Sequence, residues 1–450
     1  MSSRHEDVHA AHLAAVLGGT SVTGLRRLLG GASRETWAFE LDGWTLVLRR
    51  DPQGAPRSGQ MEREAALLRL ARAAAVPVAE VLAAGPGWLM LEFVEGETLA
   101  RRILRGDAYA SARANLVGQC ARALARLHRD VDPRAVPELP VEDPVAGLRR
   151  TLDDVGEPHP ALELGLRWLQ RQRPPQRERV VVHGDFRLGN LMVGSAGLVA
   201  VLDWELAHSG DPLEDLGWLC VRSWRFGAAL PVAGLGERAE LLDAYAAAGG
   251  ERADLDELHW WEVAGTVRWA VLCLLQARAH LVQGVRSVEL AAIGRRVCEV
   301  ELDLLDLLSD QRECAPAPAS SGITLPHDRP TAGELLEAVR EFLDGLELTG
   351  QERYLARVSS RAHAVVERQL ALGPALAAEH AQRLAGLGVG SDAELAAGIR
   401  SGQFSSEQVL REVRASVVAK LHVADPGQLR GRPPLTAPSV ERAAGDQPLH

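Results

Sequence analysis

His183-Gly184-Asp185-Phe186-Arg187-Leu188-Gly189-Asn190, with Val201-Leu202-Asp203-Trp204-Glu205 a little downstream, is the stretch that decides the fold. The run Val180-Val181-Val182 before it has the character of a buried strand, so the octet lies in a loop at a strand end. Leu191-Met192-Val193 and Leu198 to Leu202 form two more strands, joined across the turn sequence Gly194-Ser195-Ala196-Gly197. Residues equidistant from a hairpin turn lie opposite each other. The midpoint between Asn190 and Asp203 falls inside this turn, so they are expected side by side at its open end, near Asp185. Two carboxylates and an amide oxygen on adjacent backbone suit a magnesium ion that carries nucleotide phosphates. One carboxylate then accepts a hydroxyl proton while the others hold the metal. Alone, Asp185 would read as a loop residue capping its own backbone. The ordered set of Asp, Asn five residues on, hairpin and Asp is hard to reach by chance, and Asn115 is the only other asparagine in the chain. His183 reads as a packed, hydrogen-bonding brace.

Upstream, residues 25–50 read as a hairpin, with Leu25, Leu28 and Leu29 leading into Gly30-Gly31-Ala32-Ser33 and Thr36 to Leu41 returning. Thr45 to Arg49 is a further strand, with Thr45, Val47 and Arg49 on one face. Met61 to Ala75 is helical. Glu64 lies three, four and seven residues before Leu67, Leu68 and Ala71 and shares their buried face, whereas Glu62 aligns with Arg69 and is solvated. An inward glutamate needs a cation, and Arg49 is the natural partner. Residues 1–95 thus form a small β-rich lobe, and residues 96–308 are mostly helical around the segment from Val180 to Asp203.

The span 309–330 carries four prolines and little periodicity and reads as a linker. Residues 331–427 read as an all-helical domain. Thr331 and Glu334 make a capping box, and three apolar stripes follow: Leu335, Val339, Phe342 and Leu346; then Leu355, Val358, Ala362 and Val365; then Val409, Leu410, Val413, Val417 and Leu421. Residues 428–450 read as a disordered tail.

Bulk properties exclude several classes. A formal net charge of -10 without a long basic run argues against nucleic acid. Five scattered cysteines with no Cys-x-x-Cys pair read as reduced cytoplasmic thiols. The start MSSRHEDVHA lacks a secretory signal, and the apolar run Trp269 to Leu275 is too short for a bilayer, so no membrane partner is expected. Lys420 is the only lysine among 50 Lys and Arg residues.

HGDFRLGN followed by VLDWE resembles the aminoglycoside phosphotransferase and choline kinase superfamily, relatives of protein kinases, over roughly residues 15–310. The resemblance implies an α+β, bilobal protein-kinase-like fold and an enzyme that uses ATP and Mg2+ on a small-molecule hydroxyl. It implies Asp185 as catalytic base and Asn190 and Asp203 as metal ligands. Arg49 with Glu64 matches the strand-lysine and helix-glutamate pair of that pattern, with arginine where lysine is usual. Gly31 and Ser33 then sit where backbone N–H groups cover phosphates, and Glu92 and Val94 where a hinge meets adenine. Asp211, an N-cap before Pro212, supports the catalytic loop. LRRDP at 48–52 and GDPLEDLGWL further resemble kinase domains fused to acyl-CoA dehydrogenases, which implies a hydroxyacyl-CoA acceptor, with residues 331–427 as an accompanying domain for docking, self-association or substrate presentation. An aminoglycoside kinase and a nucleotide-binding pseudokinase acting through the helical domain are the other readings.

Overall fold

The computed structural model describes residues 22–28, 34–51, 59–309 and 332–430. Gly31 and Ser33, Thr331 of the capping box, the linker from residue 310 and the tail beyond residue 430 lie outside the described residues. The fold is α+β and kinase-like, with an N-terminal sheet, a helical C-terminal part and a separate helical domain.

The strands are β1 Val22–Arg27, β2 Glu35–Leu41, β3 Trp44–Arg50, β4 Val81–Gly85, β5 Trp88–Glu92, β6 Val180–Val182, β7 Leu191–Gly194, β8 Gly197–Val201 and β9 His208–Gly210. The helices used below are α1 Gln60–Ala73, α2 Ala100–Arg105, α3 Ala110–Asp130, α4 Pro144–Val155, α5 Pro160–Arg171, α6 Leu213–Cys220, α7 Arg238–Ala247 and α8 Leu255–Leu281. They continue with α9 Val288–Gly294, α10 Val297–Leu308, α11 Ala332–Asp344, α12 Gly350–Gly386, α13 Asp392–Ser401 and α14 Glu407–Ala424. The chain divides into two compact units, residues 1–142 with 175–262, and residues 143–174 with 263–450.

In the first unit an antiparallel sheet runs in the order β1-β2-β3-β5-β4. Because side chains alternate across a strand, Trp37, Phe39, Leu46, Leu48 and Met90 cluster on one face. The register pairs Thr36 with Arg49 and Arg49 with Leu89, so Arg49 lies on the other face. Helix α1 buries Met61, Glu64, Ala65, Leu67, Leu68 and Ala71, the face its 3.6-residue period selects. The segment after the sheet is tied to the hairpin that follows the decisive loop: Glu97 and Val193 exchange backbone bonds of 2.9 and 3.0 Å.

The β7–β8 hairpin forms as the alternation predicts, with one difference. Its ladder pairs Leu191 with Val201 and Met192 with Ala200, then slips by one residue at a bulge before Val193. Asn190 therefore lies across from Leu202, whose N–H donates to the Asn190 carbonyl at 2.8 Å. Asp203 falls one residue beyond that position, because the turn is centred between Ser195 and Ala196, nearer to Asn190 than to Asp203, and the extra β8 residue at the bulge makes up only part of the difference.

In the second unit, Ala161 of α5, Leu302 and Leu305 of α10, Ile399 of α13 and Val413, Val417 and Leu421 of α14 belong to one core cluster. The last apolar stripe of the sequence is thus buried against helices that precede residue 309. The first is not: Leu335, Val339 and Phe342 of α11 are exposed. A stripe at helical spacing states which side is apolar, and only the fold states what covers it. Arg414 of α14 meets Asp306 of α10 at 2.5 Å with both side chains buried. Cys120, Cys220, Cys273 and Cys298 are free and buried, and burial pushes each thiol up to about 12. Among the described residues no helix is long and apolar enough to cross a membrane.

Candidate active site

Asp185 sits in the loop between β6 and β7. Gly184 before it has φ 80°, and a Cβ there would lie 2.4 Å from the Leu206 carbonyl oxygen, so glycine alone lets the chain pass. Phe186 and Leu188 are fully buried and anchor the loop to the core. The two carboxylate oxygens of Asp185 are held differently. Oδ1 accepts from Trp218 Nε1 at 2.9 Å and from Arg187 Nε at 3.0 Å. Oδ2 accepts from Asn190 Nδ2 at 2.6 Å. The same Asn190 nitrogen donates to the Asp185 backbone oxygen at 3.1 Å. Two acceptors therefore fix the amide orientation and leave Asn190 Oδ1 as an uncommitted oxygen.

Behind the loop stands Asp215 of α6, which is fully buried. It accepts the His183 N–H at 2.7 Å and the Gly184 N–H at 2.9 Å. His128 Nε2 of α3 is 3.3 Å away, and its Nδ1 meets the Tyr245 hydroxyl at 2.9 Å. Burial pushes the Asp215 carboxyl up, but His128, His183 and the amide donor outweigh it and hold the group below the usual carboxylate range. Sequence reasoning named Asp211 as the support. Asp211 instead accepts the Leu213 N–H at 2.9 Å and caps α6, and burial raises its carboxyl. The contacts to the loop come from Asp215, one turn further along. The available signal was an acid flanked by Leu213, Leu216 and Trp218 in an apolar helix.

His183 uses both ring nitrogens. Nε2 donates to the Leu202 carbonyl at 3.0 Å, and Nδ1 accepts the Asp185 N–H at 3.1 Å. Burial lowers its pKa, so the ring is neutral and joins the loop to the end of the hairpin.

Asp203, at that end, has φ 64°. A left-handed aspartate costs on the order of 1–3 kcal/mol and persists where the surroundings over-determine it. Its carboxylate accepts from Arg49 Nη2 at 3.3 Å. Arg49 Nη1 pairs with Glu64, so one guanidinium joins helix α1 to the hairpin. Burial works against the Arg49 charge, but Glu64, Asp203 and Glu205 outweigh it and raise the pKa. The other Glu64 oxygen pairs with Arg34, which also donates to Gln60 Oε1 at 3.2 Å and faces Asp51 at 3.5 Å. The alternation argument missed Arg34 because that residue precedes the first residue of β2 and lies outside the strand period.

Glu64 is only 1% exposed, so Glu64→Gln leaves Arg34 and Arg49 facing a neutral amide inside the lobe. The expected loss is about 3–5 kcal/mol of stability, measured by denaturant unfolding. An unchanged unfolding midpoint would show that Asp51 and Asp203 suffice.

At the proposed hinge, the Glu92 N–H is taken by the Glu80 carbonyl at 3.0 Å, and Val94 lies past the last ladder pair, Leu46 with Glu92. Among the described residues no group of three or more His, Cys, Asp or Glu forms a metal cluster. A magnesium ion carried by nucleotide phosphates needs only one or two protein oxygens. Asn190 Oδ1 and the Asp203 carboxylate supply oxygens of that hard type, so the residues fit such an ion.

Comparison with known proteins follows the two parts of the chain. Residues 24–261 match the phosphotransferase enzyme family, APH. Residues 346–428 match a domain of unknown function, DUF6285. Acyl-CoA dehydrogenase family member 10 of Mus musculus is 30% identical over 232 residues, which is 45% of this chain and 21% of the mouse protein. Acyl-CoA dehydrogenase family member 11 of Gallus gallus is 28% identical over 216 residues, 43% of this chain and 27% of that protein. The matched part spans about a fifth to a quarter of these relatives. A solved structure from Ralstonia eutropha, assigned as an aminoglycoside phosphotransferase, superposes with a TM-score of 0.52 at 24% identity, covering 65% of this chain and 95% of that one.

Proposed function

The chain belongs to the phosphotransferase enzyme family, and from that premise we propose that it transfers the γ-phosphoryl group of ATP to a hydroxyl of a small metabolite, with a hydroxyacyl-CoA as the favoured acceptor. The observation that carries the reading is the convergence of Asp185, Asn190, Asp203 and Arg49 at one hairpin end. Asp185 Oδ2 receives the proton of the acceptor hydroxyl as the oxygen attacks the γ-phosphorus and the bond to the β-phosphate breaks, releasing ADP. Its partner Oδ1 holds two donors, which keeps the carboxylate from turning away. Asn190 Oδ1 and Asp203 would hold Mg2+, which would neutralise charge on the phosphates. Arg49, relieved of Asp203, turns its Nη2 to phosphate oxygens, a geometry a planar guanidinium suits. Gly31 and Ser33 are assigned to the phosphate-covering turn, and Glu92 and Val94 to the adenine contact.

The acyl-CoA assignment draws on the names of the two relatives. Phosphorylation of a hydroxyl on an acyl chain converts it to a leaving group, which gives such an activity a chemical purpose. The decisive assay is magnesium-dependent ATP turnover with hydroxyacyl-CoAs, free hydroxy acids, an aminoglycoside and choline. Turnover is expected with hydroxyacyl-CoAs and not with choline. ADP formation with none of the four would instead favour a nucleotide-binding pseudokinase, the reading to which arginine in place of the usual strand lysine lends weight.

A further inference from the structure

Arg187 stands two residues after Asp185, and its partners account for only part of its donor capacity. Its Nε donates to Asp185 Oδ1 at 3.0 Å. Its guanidinium carbon lies 4.6 Å from the ring centroid of Trp224, which itself packs on Trp218 at 5.2 Å. Beneath it is Gly189, at φ 122°, where a Cβ would come within 2.8 Å of Arg187 Nη1. The site is therefore built around this side chain: an aromatic platform, a glycine held at a φ that side chains rarely adopt, and buried Phe186 and Leu188 on either side of it in the loop. Yet the side chain remains 26% exposed, and no described residue accepts from its two Nη groups.

An arginine kept only to pair with a carboxylate would present its fork to both oxygens. Here the single Nε is spent on Asp185 Oδ1, the guanidinium lies over Trp224, and neither Nη has an acceptor among the described residues. The guanidinium adjoins the carboxylate that the acceptor hydroxyl must reach. We propose that Arg187 is an acceptor-binding residue, anchoring a carbonyl-type oxygen that the acceptor carries a few bonds from its reacting hydroxyl. The substrate class is thereby narrowed to hydroxyacyl compounds, in which hydroxyl and carbonyl oxygens can meet Asp185 Oδ2 and an Arg187 Nη together; simple alcohols offer no partner to the fork. The inference rests on the phosphotransferase reading and deepens it.

The test uses the full chain and two probes: the N-acetylcysteamine thioester of 3-hydroxybutanoate, and the matching thioether in which the carbonyl is a methylene. Binding of each is measured calorimetrically with Mg2+ and a non-hydrolysable ATP analogue, alongside steady-state KM and kcat. The wild type is expected to prefer the thioester by about tenfold to a hundredfold, the range of one charge-assisted hydrogen bond. Arg187→Gln should erase that preference with the ATP KM unchanged, and Arg187→Lys should restore part of it. Equal affinity of the wild type for both probes overturns the inference and leaves phosphoryl transfer standing. A rise in the ATP KM with the acceptor KM unchanged also overturns it, placing Arg187 on the donor side. Turnover and binding of neither probe overturns the inference together with the hydroxyacyl-CoA acceptor, and the four-acceptor assay then tests phosphoryl transfer itself. If Arg187→Gln does not fold, the wild-type probe comparison and Arg187→Lys decide the matter alone.

Discussion

Asp185→Asn lowers phosphoryl transfer by roughly a hundredfold to ten-thousandfold, the usual contribution of a positioned general base, while ATP binding persists. The substitution keeps size and shape but removes the acceptor for the hydroxyl proton. It also sets a donor against a donor. Oδ1 faces Trp218 Nε1 and Arg187 Nε, and Oδ2 faces Asn190 Nδ2, so either amide orientation points NH2 at an N–H group. A modest stability loss of about 1–3 kcal/mol accompanies the kinetic effect. Single-turnover transfer and nucleotide titration on the same preparation separate the two. Full activity in Asp185→Asn would remove Asp185 from the chemistry.

Asp215→Ala is expected to be the most destabilising change near the site although Asp215 touches no substrate. It strips the acceptor from the His183 and Gly184 amides and from His128 at once, all in a buried setting. Removing one side of such a buried charged network costs about 3–5 kcal/mol, roughly 10 °C in melting temperature for a unit of this size. The pH dependence has a definite sign. The folded Asp215 carboxyl lies below its ordinary value, so its contribution is complete above the unfolded value near about 4 and is lost as pH falls through the folded one. His183, whose pKa burial lowers, contributes above about 6.5 and loses that contribution as pH falls below it. Wild-type melting temperature should therefore drop from neutral pH toward acid, and Asp215→Ala should lack the carboxylate part of that drop. A variant that melts like the wild type across this range would show that the two amides find other partners.

Legibility differed by residue for physical reasons. Glu64 announced itself because helix periodicity put a carboxylate on an apolar face, and it is buried there. Arg49 followed from strand alternation. Arg34 did not, since it belongs to no period. Asp211 and Asp215 sit one turn apart at the head of α6, and capping rules favour the first; the second is chosen by the loop that folds against it. Trp218 and Arg187 give no signal of their own in the sequence; the structure sets both on one oxygen of Asp185. The hairpin was recognisable from its turn, but the bulge that brings Asp203 to within one residue of the position opposite Asn190 leaves no mark in the pattern of apolar and polar residues.

By itself, then, the sequence determined the local elements and the chemistry they carry: a strand, the loop from His183 to Asn190, a hairpin, and a helix with one inward acid. These follow from dihedral preference and periodicity, which act over a few residues. The partners of each group were decided by the tertiary structure. Arg49 meets Asp203 across 154 residues of chain, and His128 meets Asp215 across 87. Such pairings depend on which buried charges must be satisfied once the chain has closed on itself, a condition that exists only in the folded state.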